Sequence, residues 1–211
     1  MGSSPAEGTM QNKNIETYKE CLEQYYEIHN YYHDFYKKNF GENAIKLIVV
    51  EGPDKTGKTT YINRTFAGKD YVIMKDEVFK YSSNLDTILG FSVVRNNNLV
   101  KMFQAFSEGK TIVYDRFFYS TFVYNILYKV FIGEKILPYF ENNVIFVSDM
   151  IRFVFSMAAY VFPEQILFFR KKLQTIDPRV YYEKVYDQDL LLKVYNDVLN
   201  PEKITVPVIL M

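Results

Sequence analysis

The sequence of 211 residues contains one cysteine, two histidines and no tryptophan. The lone Cys21 excludes a disulfide within the chain, and no Cys and His residues have the spacing of metal ligands. A chain with neither feature is typical of a reducing compartment. We therefore expect a cytoplasmic protein.

An excess of charge is also lacking, because 25 Lys and Arg residues balance 25 Asp and Glu residues. A neutral chain does not attract a nucleic acid or an anionic membrane through its overall field. The most apolar segment, 153–162, is too short to span a bilayer. We expect no nucleic-acid partner and no membrane association, so any phosphate must be bound by local groups.

Composition and periodicity divide the chain into three segments. Residues 1–13 are mostly small and polar, and we predict a disordered, vector-derived leader. Residues 14–40 carry apolar or aromatic side chains every three or four positions, which predicts an N-terminal helical extension that Gly41 ends. This helix packs on the domain or on a second copy of the chain, and we expect a homodimer. Residues 41–211 form one further domain.

Strand and helix patterns alternate along that domain. The continuously apolar segment 44–52 is typical of a central parallel strand that is covered on both faces. The alternation predicts an α/β three-layer sandwich with a five-stranded parallel sheet, which binds ligands at the carboxyl ends of its strands. The other predicted strands are 70–75, 110–116, 163–169 and 203–210. The predicted helices are 58–66, 84–107, 117–131, 147–160 and 183–198.

The first strand leads into G-P-D-K-T-G-K-T, residues 52–59, which fits the phosphate-loop pattern G-x-x-x-x-G-K-[ST]. Its glycines let backbone N–H groups surround phosphate oxygens, Lys58 reaches the β and γ phosphates, and the Thr59 hydroxyl is a ligand for Mg²⁺. The motif predicts that the chain binds a nucleoside triphosphate with Mg²⁺. The candidate ATP-binding residues are Gly52, Gly57, Lys58, Thr59 and Thr60.

Four charged residues near this loop indicate a second substrate. Asp54 and Lys55 place a carboxylate and a cation inside the loop, and a carboxylate beside a polyanion is costly unless a proton or a cation compensates it. Asp115 and Arg116 end the third predicted strand, at the sheet edge where Mg²⁺ and phosphates would lie.

A possible base pocket lies on the preceding predicted helix. Phe91 and Arg95 are four residues apart and therefore share one face. An aromatic plane beside a guanidinium offers a nucleobase a stacking surface and a hydrogen-bond donor, although core packing of Phe91 with a solvated Arg95 explains the same spacing.

Three blocks of the sequence resemble the thymidylate kinase family. They are Glu51–Thr60 in the loop, "GFSVVR" up to Arg95, and "GKTIVYDRFFYSTFVY", in the order and spacing of that family. The resemblance covers the chain from about residue 45 onward. It implies a P-loop kinase fold, ATP and Mg²⁺, and transfer of a phosphoryl group to dTMP.

The resemblance also implies individual roles. Asp54 contacts the acceptor sugar, Phe91 stacks on thymine, Arg95 hydrogen-bonds the base, and Tyr124 borders the deoxyribose. Ser120 matches a family serine that selects among base or sugar variants, and Tyr182 matches an aromatic residue of the lid. The implied metal residues are Thr59 and Asp115. The implied catalytic residues are Asp54, Lys55, Lys58, Arg116 and the lid cation Arg179.

The chain departs from the family after its second strand, where Lys75 replaces the usual arginine that holds the acceptor phosphate. Asp76 and Glu77 follow it. A deoxynucleoside kinase, which needs a general base at that place, is therefore an alternative. The segment between the fourth strand and the predicted lid is also short, so a non-catalytic nucleotide-binding module is a second alternative.

Overall fold

The structure is a computed structural model that describes residues 5–68, 70–75, 98–127, 161–171 and 188–211. Within these residues five strands form one parallel sheet in the order β2-β3-β1-β4-β5. The predicted α/β sandwich with a five-stranded parallel sheet is confirmed. The strands are β1 (Leu47–Glu51), β2 (Tyr71–Lys75), β3 (Thr111–Asp115), β4 (Gln165–Phe168) and β5 (Val208–Leu210).

The described helices flank this sheet. They are α1 (Pro5–Phe40), followed by a 3₁₀ turn (Gly41–Asn43), then α2 (Lys58–Thr65), α3 (98–107), α4 (Phe118–Ile126) and α5 (Gln188–Val198). The predicted helix 147–160 lies outside the described residues, as do 84–97, 128–131 and 183–187 of the other predicted helices. None of the described helices is long and apolar enough to cross a membrane.

β1 occupies the centre of the sheet, and all five of its residues are buried. Its side chains alternate between two cores, because successive residues of a strand face opposite sides of the sheet. Leu47 and Val49 face the larger core, which contains side chains of α1, α4 and α5. Ile48 and Val50 face a smaller core that includes Ile62 of α2. Burial on both faces explains why this strand is continuously apolar.

The long helix α1 packs directly on the rest of the chain. The ring of Tyr25 stacks on Phe122 of α4, with 4.5 Å between ring centroids. The Tyr18 hydroxyl donates to the Asp197 carboxylate of α5 at 2.6 Å. Packing on the domain is therefore one of the two arrangements that the sequence predicted, and the homodimer stays a prediction.

Two boundaries differ from the sequence predictions. Residues 5–13, predicted as a disordered leader, are helical, and α1 begins at Pro5, where the fixed φ of proline favours the first helical position. The fifth strand begins at Val208 instead of residue 203, because Pro207 has no N–H to donate to a neighbouring strand. Ile204 and Val206 are buried in the loop before it.

We predict that α1 contributes to the stability of the whole domain. Tyr25→Ala removes a fully buried ring and should lower the free energy of unfolding by about 3–5 kcal/mol. Tyr31→Ala on the same helix is the matched control, because its side chain is 65% exposed, and should change that free energy by less than about 0.5 kcal/mol. Urea unfolding measures both, and equal effects would contradict the packing of α1.

The two histidines of the chain, His29 and His33, predict a loss of stability in mild acid. Burial lowers the pKa of His29 to about 3 and that of His33 to about 4 from an ordinary value of 6.5. Below pH 6.5 the unfolded chain therefore binds protons that the folded chain does not, so stability falls as the pH falls toward 4.

From pH 7 to pH 5 the loss should reach roughly 2 kcal/mol for each histidine. Urea unfolding at the two pH values measures it. His33→Gln should remove about half of this pH dependence, since glutamine does not titrate. A wild-type chain as stable at pH 5 as at pH 7 would refute the assignment.

Candidate functional site

The loop after β1 requires glycine at two positions. Gly52 has φ 130°, and a Cβ atom there would lie 2.5 Å from the Phe169 carbonyl oxygen. Gly57 has φ 93° and directly precedes α2. Both φ values lie in a region that residues with a side chain rarely adopt. The glycines thus let the chain turn from a buried strand into a helix within six residues of loop, from Gly52 to Gly57.

Lys58 lies inside this loop. Its side chain is buried, and the ammonium group donates to the Gly52 carbonyl at 2.9 Å and to the Pro53 carbonyl. Burial, together with the nearby positive charge of Arg116, lowers the pKa of Lys58 to about 8. The positive charge is therefore held at the first turn of α2, where backbone N–H groups and the helix dipole favour an anion.

Thr59 and Asp115 form an oxygen pair beside the loop. The Thr59 hydroxyl donates to the Asp115 carboxylate at 2.8 Å, and the Lys75 ammonium lies 4.0 Å from the same oxygen. The strand register explains this proximity, because Lys75 of β2 and Val50 of β1 both pair with Asp115 of β3. The ends of three parallel strands therefore meet at one edge of the sheet, as predicted for a ligand site.

This oxygen pair fits Mg²⁺. Magnesium prefers oxygen ligands and is usually bound by one or two carboxylates together with substrate phosphates and water. Among the described residues there is no cluster of three or more Asp, Glu, His and Cys side chains that would form a metal site without a phosphate. Thr59 and Asp115 are therefore suited to a metal that arrives with a nucleotide.

Arg116 and Asp54 form an ion pair across the pocket. The Arg116 guanidinium donates to the Asp54 carboxylate. The Arg116 side chain is 19% exposed, and the Asp54 side chain is 50% exposed. The Asp54 carboxylate inside the loop is thus compensated by a cation, Arg116, as the sequence analysis predicted. Together these side chains line one cavity of about 280 Å³. Its lining consists of Asp54, Lys55, Gly57, Lys58, Thr59, Thr60, Lys75, Asp115 and Arg116.

Other candidate residues lie beside this cavity or outside the described residues. Tyr124 is hydrogen-bonded to Arg116, and burial raises the pKa of its phenol. Gly52 is buried behind the loop, and the buried Ser120 hydroxyl donates to the Glu51 carboxylate. Outside the described residues lie the base-pocket candidates Phe91 and Arg95, the lid candidates Arg179 and Tyr182, and the possible bases Asp76 and Glu77.

Two residues beside the site were not among the sequence candidates. Glu51 is completely buried at the end of β1, and its carboxylate accepts from the Phe117 N–H at 2.7 Å. Burial raises the pKa of Glu51, and the hydrogen bonds from Ser120 and Phe117 oppose that rise. The sequence did offer a signal for Glu51, because a charged residue at the end of an apolar buried strand is unusual. It offered no signal for Tyr195 of α5, because this residue continues the apolar face of its helix.

The close contact at Gly52 predicts a large effect of one methyl group. Gly52→Ala should lower the free energy of unfolding by at least about 2 kcal/mol, because φ is unfavourable and the Phe169 carbonyl must move. Gly68→Ala is the matched control, since no atom lies within 4 Å of the added Cβ. Thermal or urea unfolding compares the two variants, and similar losses would contradict the close approach.

Comparison with known proteins identifies the fold. No protein-family model matches the sequence, and no curated protein matches it. The thymidylate kinase of Candida albicans has a similar structure, with a TM-score of 0.54 and 15% identity over 80% of this chain and 83% of that chain. The thymidylate kinase of Ehrlichia chaffeensis gives a TM-score of 0.48 and 18% identity over 80% and 89% of the two chains. The similarity to the Candida albicans enzyme shows that the chain has the α/β fold of a thymidylate kinase.

Proposed function

We propose that this chain is an ATP- and Mg²⁺-dependent kinase of deoxynucleoside monophosphates, and that it converts dTMP and ATP to dTDP and ADP. One observation carries the proposal. The ion pair of Asp54 with Arg116 lies in the same cavity as the phosphate-loop Lys58, so groups for two substrates meet in one site. A protein that only bound a triphosphate would not need the ion pair of Asp54 with Arg116.

The donor side of the cavity is the loop with the start of α2. In this structure the ammonium group of Lys58 donates to the Gly52 and Pro53 carbonyls. We infer that it donates to the triphosphate instead when the nucleotide binds. The backbone N–H groups at the start of α2 bind phosphate oxygens, and the Thr60 side chain borders the same cavity. Thr59 and Asp115 would hold Mg²⁺, which would neutralise phosphate charge during transfer.

The acceptor side is built from Arg116 and Lys75. Lys75 is 63% exposed at its side chain and lines the cavity, so its charge is available to a second phosphate. This supports a monophosphate acceptor over a nucleoside, because a nucleoside hydroxyl needs a general base at this place and not a cation. An ammonium group gives a phosphate a point charge without the two-pronged contact of an arginine.

The chemistry that these residues perform is positioning and charge neutralisation. An oxygen of the acceptor phosphate attacks the γ phosphorus in line, the bond to the bridging oxygen breaks, and ADP leaves. Arg116 and Lys58 lie on the same cavity, and they bind the oxygens that carry charge during transfer. Lys55, at φ 57° in the loop, is the candidate for an additional contact with the γ phosphate.

The acceptor base is assigned by the sequence resemblance. Phe91 stacks on thymine, Arg95 hydrogen-bonds it, and Tyr124 borders the deoxyribose in this proposal. Arg179 and Tyr182 belong to the lid that excludes water during transfer. We place Ser120 near the sugar. Its hydroxyl group donates to Glu51, so its contribution is an indirect one.

A measurement of ADP release tests the function. The purified chain with ATP and Mg²⁺ should turn over dTMP, and it should leave thymidine unphosphorylated. Lys58→Ala should reduce kcat by about 100-fold or more, since it removes a charge that acts on the transferred phosphoryl group.

The panel should include dUMP, dCMP, dGMP, dAMP and the free nucleosides. Turnover of nucleosides alone would instead identify a nucleoside kinase. Binding of ATP without any turnover would leave a nucleotide-binding module.

A further inference from the structure

The backbone of Arg116 has an unusual conformation. Its φ is 68°, in the left-handed region that residues with a side chain rarely adopt, and this residue directly follows the last residue of β3. Such a conformation persists only where the surroundings hold it. The direction of the Arg116 side chain into the cavity depends on this turn, because an extended residue would point its side chain elsewhere.

The two peptide groups on either side of Arg116 are both anchored to β1. The Arg116 N–H donates to the Val50 carbonyl at 3.0 Å, and the Phe117 N–H donates to the Glu51 carboxylate at 2.7 Å. The first bond fixes the peptide plane that precedes the residue. The second fixes the plane that follows it, so the two bonds together determine φ and ψ of Arg116.

The Glu51 carboxylate is itself held in place. One oxygen accepts from the Phe117 N–H and, at 3.4 Å, from the Ser120 N–H. The other accepts from the Ser120 hydroxyl, which lies 3.0 Å from the Tyr195 hydroxyl of α5. An ionised carboxylate only accepts hydrogen bonds, which suits a site where three donors converge. The bonds to Phe117 and Ser120 also give an acceptor to two of the N–H groups at the start of α4.

We propose that Glu51 is a positioning residue for phosphoryl transfer, and that it acts by holding the left-handed turn that directs Arg116 into the cavity. The functional part of this proposal rests on the proposed kinase activity, since that activity gives Arg116 its task. The geometric part does not, because the turn and its hydrogen bonds are present without a substrate. Ser120 and Tyr195 support the carboxylate and link the turn to α5.

The first test replaces the carboxylate by an apolar group of similar length. Glu51→Met leaves the Phe117 N–H without its acceptor and should lower kcat/KM for the acceptor by about 10- to 100-fold, the usual effect of a misplaced catalytic group. Glu51→Gln keeps one acceptor oxygen and should recover most of that loss. Tyr36→Phe is the matched control, because it removes a buried hydrogen bond to Ile45 before the start of β1 and should leave kcat/KM unchanged.

A double-mutant cycle separates positioning from general damage. In an Arg116→Ala background, Glu51→Met should cost less than about 2-fold, because the residue through which it acts is gone. An undiminished loss in that background would overturn the proposal, as would a Glu51→Met chain with wild-type kcat/KM. If Glu51→Met does not fold, Ser120→Ala should replace it and lower kcat/KM by about 3- to 10-fold, the effect of one hydrogen bond.

A second readout needs no substrate and stands if the chain proves not to be a kinase. The Nε–Hε resonance of Arg116, identified by its loss in Arg116→Lys, reports the surroundings of the guanidinium group whose Nη2 donates to Asp54. In Glu51→Met, or in Ser120→Ala, it should move to the position of solvent-exposed arginines, and in Tyr36→Phe it should not move. An unmoved resonance in the first two variants would overturn the positioning role whether or not dTMP is phosphorylated.

Discussion

The hydrogen bonds that hold β1 between β3 and β4 fix where every group of the cavity lies. The register pairs Val50 with Asp115 on one side and with Leu167 on the other, so the end of β1 is determined from both sides. The phosphate loop then begins at Gly52, one residue after the buried Glu51. Because successive residues of a strand face opposite sides of the sheet, a shift of β1 by one residue would move each of its side chains to the other core. The position of the loop is therefore a property of the core.

Several charged groups of the cavity are hydrogen-bonded to other groups of the protein. Lys58 donates to two loop carbonyls, and Arg116 donates to Asp54. Asp115 accepts from the Thr59 hydroxyl. These bonds fix the positions of the polar groups that line the cavity. In the function that we propose, these bonds are exchanged for bonds to phosphate, and this exchange favours a ligand with several negative charges over one with a single charge.

The sequence predicted those parts of the fold and site that depend on local patterns. Alternating segments predicted five strands in the correct order along the chain, and the glycine motif predicted the loop and Lys58, which are determined by a few neighbouring residues. The start of β5 was wrong because the apolar residues Ile204 and Val206 are buried without sheet pairing. Helical residues 5–13 were missed because small polar residues give no periodic pattern.

Roles that depend on distant contacts had no such signal. Glu51 is 66 residues from Phe117 and 69 residues from Ser120 in the sequence, and Ser120 is 75 residues from Tyr195. Only the fold brings these side chains together. A tyrosine on the apolar face of a helix looks like an ordinary core residue, and Tyr195 serves as one, with its ring stacked on Phe168. Its hydroxyl group is what connects that core to the site.

The packing of α1 has a consequence for synthesis of the chain. Tyr18 reaches its partner Asp197 across 179 positions of the sequence, and His33 reaches Thr205 across 172. A ribosome that adds about 5–20 residues per second needs roughly 10–35 seconds between the first residue of such a pair and the second. During that interval the part of α1 that packs on α5 lacks its native partner, whereas Tyr25 can already reach Phe122 of α4. The helix that comes first in the chain is therefore completed by contacts with residues that are synthesised last.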